Sequence, residues 1–134
     1  MKRIGAFYKE KVLSLPEQSR ILREIPSSFL ENMEIIEDLF GWKIYYTNPG
    51  RKSRAFIECR SEDEAHYLKA LNDSGMTKIY VPEDNEYLRS ILPELERLKT
   101  RTEEILKEHL YGILSRNMRQ KLRFAVYMEL VNLD

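Results

Sequence analysis

The amino-acid sequence predicts one α+β structural unit with N-terminal helices, a small three-stranded β-β-α-β sheet and a C-terminal helical hairpin or bundle. Three observations predict this class. Helix-capping residues recur along the first half of the chain, apolar and polar residues alternate between residues 42 and 60, and apolar residues recur at helical spacing after Pro82. The chain has 134 residues, of which 43% are hydrophobic, and is therefore long enough to bury a core.

Two helices are predicted before residue 42. The order Ser14-Leu15-Pro16-Glu17 places a capping residue, a first-turn proline and a capping-box glutamate together, so we expect a helix that runs to Ile25. The order Ser28-Phe29-Leu30-Glu31 repeats the capping signal, and Gly41 suits the left-handed end of a second helix. The apolar residues at helical spacing between these two points are Phe29, Met33, Ile36 and Phe40. Residues 1–13 fit either an edge strand or a helix.

A β-hairpin, a helix and a strand are predicted next. Apolar and polar residues alternate on both sides of the turn Asn48-Pro49-Gly50, which indicates two paired strands. The apolar sides of these strands consist of Trp42, Ile44, Tyr46, Ala55, Ile57 and Cys59. The capping box at residues 61–64 predicts a helix that ends near Gly75, before a strand at residues 77–81. If this strand joins the sheet of the hairpin, the helix covers one face of that sheet.

The chain divides into an α/β core at residues 1–82 and a helical extension at residues 83–134 that packs on the core. A heptad-like stripe predicts a helix within the extension, and Pro93 is expected to restart this helix rather than lie inside it. The stripe consists of Leu88, Ile91, Leu95, Leu98, Thr102, Ile105 and His109. Residues 124–133 are apolar on nearly every side, so a final helix there requires cover all round.

Composition excludes several classes of function. The 22 Lys and Arg residues balance 22 Asp and Glu residues, and no apolar stretch is long enough to cross a bilayer, so no membrane partner is expected. The single cysteine, Cys59, and two distant histidines cannot form the usual zinc ligand sets. The five glycines stand apart, so no segment matches a phosphate-binding loop or a dinucleotide-binding fingerprint. We expect no cofactor, and the sequence identifies no small-molecule ligand. The first residues lack a secretory signal, and we therefore expect a cytoplasmic location.

Charge is unevenly distributed along the chain. Residues 42–60 hold five basic residues and one acidic residue, whereas residues 14–41 hold two basic and six acidic residues. A second basic run lies near the C-terminus, and both basic segments suit a polyanion such as nucleic acid. The candidate polyanion-binding residues are Arg51, Lys52, Arg54, Arg116, Arg119 and Arg123. The alternative is internal pairing with acidic residues, including Glu103, Glu104 and Glu108, which the balanced net charge favours.

One strand end has residues that suit metal-dependent chemistry. Glu58 and Arg60 fall on the same side of the second hairpin strand, and Asp38 precedes the hairpin. This arrangement resembles the Glu-x-Lys strand of the PD-(D/E)xK nucleases over residues 38–81. The resemblance implies that Glu58 and Asp38 hold Mg²⁺, although Arg60 replaces the lysine and Asp38 falls on a predicted helix. The simpler interpretation is an exposed ladder of Arg54, Glu58 and Arg60, with neither a metal nor a catalytic residue.

The function that the sequence favours is non-catalytic association, with the chain forming a homo-oligomer, most simply a dimer, through its C-terminal helices. Residues 110–131 form a dense apolar block that one small sheet does not cover. Nucleic-acid binding through the basic segments is the alternative, and metal-dependent nuclease activity is the third hypothesis.

Overall fold

The computed structural model describes residues 3–48, 50 and 52–109, and describes residues 106–109 by their backbone alone. The helices and strands of this part of the chain are α1 (Ile4–Tyr8), β1 (Arg20–Glu24), β2 (Glu31–Asp38), β3 (Gly41–Thr47), β4 (Arg54–Cys59), α2 (Glu62–Asp73), β5 (Lys78–Pro82) and α3 (Asn85–His109). Helix α1 continues directly into a π-helical turn at Lys9–Leu13, which shows that this segment is helical rather than an edge strand.

The strands form two antiparallel sheets, so the predicted α+β class is confirmed. The first sheet has the order β2-β3-β4 and pairs Ile44 with Ile35 on one side and with Ile57 on the other. The second sheet consists of β1 and β5, with Ile21 opposite Val81. Helix α2 connects the two sheets in the chain and contacts strands of both.

A single hydrophobic core joins the helices to both sheets. Side chains that are almost completely buried come from every layer, since α1, β3, α2, β5 and α3 each contribute at least one. The largest of these buried apolar side chains are Ile4, Phe7, Ile44, Tyr67, Leu68, Leu71, Ile79, Leu88 and Leu95. Burial of such side chains stabilises the fold by about 1.5 to 3 kcal/mol each.

The elements with strong local signals form as predicted. Strands β3 and β4 pair from Trp42 with Cys59 to Thr47 with Arg54. Ser61 caps α2 by accepting a hydrogen bond from the backbone N–H of Glu64 at 3.1 Å. In α3 the predicted stripe faces the core through Leu88, Ile91, Leu95 and Thr102, which are buried.

The predicted helix from residue 14 to Ile25 is wrong. Only a short 3-10 turn forms at Glu17–Ser19, and residues 20–24 are strand β1. The capping signal of Ser14 and Pro16 produces only this one turn. Pairing with β5 determines the conformation of the residues that follow it.

The predicted helix from residue 28 to Gly41 is also wrong, because this segment contains strand β2. Phe29 and Asn32 both have φ of +54°, a left-handed conformation that interrupts any helix at this point. Beyond a register irregularity at the start of β2, Ile35 packs against the core and Ile36 lies opposite Lys43 on β3. The alternation of a half-buried strand therefore replaces the predicted helical stripe.

Two further expectations require correction. Strand β5 does not join the hairpin's sheet, because it pairs with β1, and the β-β-α-β sheet is therefore replaced by two separate sheets. Pro93 does not restart a helix, since α3 runs without a break through this exposed residue. Helices tolerate an exposed proline when packing on either side outweighs the missing backbone hydrogen bond.

The expected final helix and C-terminal bundle concern residues 110–134 and lie outside the described residues. Within the described part of the chain, no helix has both the length and the apolar character needed to cross a membrane.

Helix α2 contributes a buried carboxylate that joins separate parts of the fold. Glu64 is 0% exposed, and its two carboxylate oxygens accept hydrogen bonds from Nη1 of Arg23 and Nε of Arg60, both at 2.6 Å. Arg60 also donates to the carbonyl oxygens of Pro82 at 3.0 Å and Glu83 at 3.1 Å. Glu64 thereby connects β1, the chain following β4, and the end of β5.

We expect Glu64→Gln to lower the free energy of unfolding by about 2 to 4 kcal/mol, because the change leaves two arginines without their counter-charge. Glu96→Gln on the exposed side of α3 is the matched control and should change it by less than about 0.5 kcal/mol. Urea denaturation measures both variants. Equal midpoints for the two variants would show that Glu64 has no special structural role.

Candidate functional site

The three-stranded sheet has one face against the core and one face turned outward. Ile44 and Tyr46 of β3 lie on the inner face and are 1% and 5% exposed. The residues of β3 that alternate with them, together with the residues of β2 and β4 that pair with those, form the other side of the sheet. We call this side the outer face. Beyond the register irregularity between Glu31 and Glu34, its side chains are those of Glu34, Ile36, Asp38, Lys43, Tyr45, Thr47, Arg54, Phe56 and Glu58.

The turn between β2 and β3 presents two large apolar side chains to solvent. Asp38 pairs with Gly41, so Leu39 and Phe40 alone connect the strands. Leu39 is 97% exposed and Phe40 is 88% exposed. Gly41 has φ of +114°, a conformation that glycine adopts readily and that allows the chain to enter β3 directly. We call residues 39 and 40 the apolar turn.

Asp38 fixes the conformation of the apolar turn. One carboxylate oxygen, Oδ1, accepts a hydrogen bond from the backbone N–H of Phe40 at 2.8 Å, and the other, Oδ2, accepts from Nζ of Lys43 at 2.6 Å. The hydrogen bond with Lys43, followed by that with Phe40, lowers the pKa of Asp38. The same hydrogen bond raises the pKa of Lys43. Both groups are therefore charged at neutral pH, and the two hydrogen bonds tie Asp38 to the backbone of the turn and to β3.

Aromatic rings and paired cations cover the centre of the outer face. The Tyr45 and Phe56 rings lie 5.6 Å apart between centroids with a tilt of 47°. Lys43 Nζ lies 5.0 Å from the centroid of Phe56, and the Arg54 guanidinium lies 5.1 Å from that of Tyr45. Arg54 also forms an ion pair with Glu34 at 3.0 Å. The face is therefore aromatic, and its cations already have partners.

The residues that suggested a nuclease are bound to other groups. Asp38 binds Lys43, and Glu58 lies opposite Lys43 on the neighbouring strand, so an ammonium group faces both carboxylates. Arg60 is held by Glu64 and by backbone carbonyl oxygens. Across residues 3–48, 50 and 52–109, no three His, Cys, Asp or Glu side chains form a group that could hold a metal ion. This arrangement provides no support for the nuclease hypothesis.

The candidate polyanion-binding residues are only partly within the described chain. Arg54 has the contacts with Glu34 and Tyr45 given above, and Lys52 is exposed in the loop between β3 and β4. The remaining candidates lie outside the described residues, namely Arg51, Arg116, Arg119 and Arg123.

Cys59 lies at the inner side of β4, as its alternation with exposed residues predicted. Burial, and to a smaller extent the nearby Glu64 carboxylate, raise the pKa of its thiol to about 12. The thiol is therefore protonated at neutral pH and has none of the thiolate character that nucleophilic catalysis requires.

The sequence analysis did not select the apolar turn or Phe56. Leu39 and Phe40 were assigned to a helix, where Phe40 completed an apolar stripe. The order Asp38-Leu39-Phe40-Gly41 is the signal that identifies them. A glycine that directly follows the two residues of a turn is typical of a tight β-hairpin. Once this order is taken as a turn, both apolar side chains are placed in solvent.

Comparisons of the chain with protein-family models, with curated proteins and with solved structures give no match.

We expect Lys43→Met to raise the pKa of Asp38 toward its ordinary value of 3.8, because it removes the strongest cause of the lowered pKa. Lys52→Met is the control and should leave the Asp38 pKa unchanged. Carboxyl ¹³C chemical shifts recorded across a pH titration measure both. If the pKa of Asp38 is the same in the wild-type protein and in both variants, the contact between Asp38 and Lys43 is contradicted.

The lowered pKa also determines how stability depends on pH. Because the folded pKa of Asp38 lies below its unfolded value, the stabilisation is complete above about pH 4 and is lost as pH falls through the folded pKa. We therefore expect the wild-type protein to lose more stability than Lys43→Met below about pH 4. Thermal unfolding at a series of pH values measures the difference. An identical pH profile for both proteins would contradict the expectation.

Proposed function

We propose that this chain is a non-catalytic association module that binds a protein surface through the outer face of its three-stranded sheet. The exposure of Leu39 and Phe40, at 97% and 88%, is the observation that carries the proposal. Monomeric proteins expose single apolar residues commonly, but a contiguous apolar surface with a fixed shape is typical of an interaction site. Phe56, which is 49% exposed, extends this apolar surface along the sheet.

The energy of burial supports a contact larger than the apolar turn. Burying a leucine or phenylalanine side chain stabilises a complex by about 1.5 to 3 kcal/mol, so the turn supplies about 3 to 6 kcal/mol. Association itself costs about 4 to 15 kcal/mol in lost freedom of motion. Over most of this range the turn alone is insufficient, so we include the adjoining rings of Tyr45 and Phe56 in the same contact surface.

The rigidity of the turn also supports binding. The carboxylate of Asp38 holds the backbone of Phe40 and the ammonium of Lys43, so the apolar side chains are presented on a backbone that is already ordered. A surface that is ordered before binding loses less conformational entropy when the partner arrives.

The charges of the outer face favour a protein over a polyanion. Three carboxylates, those of Glu34, Asp38 and Glu58, lie on this face and would repel a phosphate backbone. Its cations Lys43 and Arg54 are each paired with one of these carboxylates. Nucleic-acid binding therefore requires that these ion pairs be broken.

Self-association through the C-terminal block remains a proposal about residues 110–134, which lie outside the described chain. The contact surface proposed within the described residues is the outer face.

Photo-cross-linking in cells that make the protein tests the proposal. With Phe40 replaced by p-benzoylphenylalanine, we expect discrete protein adducts, because the turn is seated against a partner. The control carries the same group at Leu22, which is 43% exposed on β1 of the other sheet. An adduct pattern that is the same at both positions, or adducts with nucleic acid from position 40, would contradict the proposal.

A further inference from the structure

Strand β2 is the open edge of the three-stranded sheet. In the order β2-β3-β4, β2 pairs with β3 on one side, and across the described residues no strand pairs with its other side. The edge at β4 is different, because the Arg23 side chain from β1 donates a hydrogen bond to the Glu58 carbonyl oxygen at 2.5 Å. An unpaired strand edge presents backbone N–H and C=O groups to solvent. Strand β2 is therefore the edge of this sheet that can accept a further strand.

The open edge is regular where it approaches the apolar turn. After the register irregularity between Glu31 and Glu34, residues 34–38 pair with β3 without interruption. The apolar turn follows directly, with Leu39 97% exposed. A strand added along residues 34–38 has about 17 Å of regular backbone to pair with. The molecule that supplies this strand lies beside the apolar turn.

The charged residues of β2 are all acidic. They are Glu31, Glu34, Glu37 and Asp38. Glu34 and Asp38 each pair with one cation of the outer face, whereas Glu37 is exposed and has no ion pair with any described residue. Opposite charges on adjacent strands stabilise their pairing, and like charges weaken it. A basic strand is therefore favoured at this edge, and a second copy of β2 is disfavoured.

The free edge of the other sheet has the opposite charge. Strand β1 pairs only with β5 among the described strands, and it holds Arg20 and Arg23 against the single acid Glu24. A basic segment is repelled by the excess of cations on β1. Charge therefore distinguishes the edge at β2 from the edge at β1.

We infer, on the basis of the proposed function, that the partner contacts this chain through an extended basic segment that adds to β2 as a fourth strand. Backbone hydrogen bonds hold the segment along β2, and its lysine or arginine side chains lie beside Glu34 and Glu37. The adjoining surface of the partner covers the apolar turn. Strand addition of this kind takes its affinity from main-chain hydrogen bonds and its specificity from the side chains. The acidic residues of β2 provide that specificity.

A synthetic peptide of about eight residues that alternates lysine and threonine is the probe, because this length spans β2 and threonine favours strands. Fluorescence anisotropy of the labelled peptide, titrated with the full chain, measures the affinity. We expect the lysine peptide to bind about 10-fold or more tightly than a peptide with glutamate in place of lysine. Equal affinity of the two peptides, or no binding of the lysine peptide at millimolar concentration, would overturn the inference.

Charge reversal on β2 tests where the peptide binds. The edge variant, Glu34→Lys with Glu37→Lys, should weaken binding of the lysine peptide by about 10-fold or more, because it places cations beside the added strand. The control, Glu86→Lys with Glu96→Lys, makes the same change in net charge at exposed positions of α3 and should bind as the wild type does. Unchanged thermal unfolding shows that each variant is folded. Equal weakening in both variants would overturn the inference, because net charge and not β2 would then determine binding.

Backbone methylation of the peptide tests the strand addition itself with the wild-type chain. A lysine peptide that is N-methylated at every amide keeps its charge and loses its backbone donors, so we expect it not to bind. With the unmodified peptide, hydrogen exchange should slow at the amides of β2 that do not pair with β3, and should stay unchanged in β1. Tight binding of the methylated peptide, or slowed exchange in β1 instead of β2, would overturn strand addition at β2.

These outcomes are distinct from those of cross-linking at position 40. Discrete protein adducts from position 40, combined with a lysine peptide that does not bind, overturn the basic strand and leave the proposed function standing. Binding of the lysine peptide at β2, combined with the same adduct pattern at positions 40 and 22, overturns the proposed function and the part of the inference that covers the apolar turn.

Discussion

The buried carboxylate of Glu64 is the interaction on which the rest of this structure depends. It binds Arg23 of β1 and Arg60 after β4, and Arg60 in turn holds the end of β5. Two sheets that share no strand are thereby joined at the start of α2. A buried ion pair stabilises a fold little more than an apolar contact would, but a buried charge without its partner strongly lowers the stability. Any arrangement of the two sheets that separates Glu64 from its arginines is therefore disfavoured, and the cluster determines how the sheets are arranged.

This arrangement also determines which surface is left for function. Helix α2 begins at the Glu64 cluster and packs across the inner face of the three-stranded sheet. The outer face carries the exposed Phe56 ring, and the turn beyond β2 carries Leu39 and Phe40. Asp38 gives that turn a fixed conformation through two hydrogen bonds. The buried cluster thus orders the fold, and the half-buried carboxylate of Asp38 orders the contact surface.

Local signals explain which parts of the fold the sequence could predict. The hairpin of β3 and β4, the cap of α2 at Ser61 and the buried stripe of α3 depend on residues close together in the chain. Strands β1 and β2 resembled helices because their capping signals are local, whereas their pairing partners are distant. The sequence pattern placed Arg60 in a nuclease-like arrangement, but its contact with a buried glutamate forms only when the chain folds. The sequence did not predict the apolar turn, because it predicted a helix in place of strand β2, which precedes the turn.

The central claim is that the apolar turn and the outer face bind a protein surface, and hydroxyl-radical footprinting of the chain in the cells that make it tests this claim most directly. The account predicts that Leu39 and Phe40 are oxidised more slowly in the cell than in the purified dilute chain, whereas Leu22 on β1 is oxidised at the same rate in both. Equal oxidation of Leu39 and Phe40 in the cell and in the purified chain would contradict it.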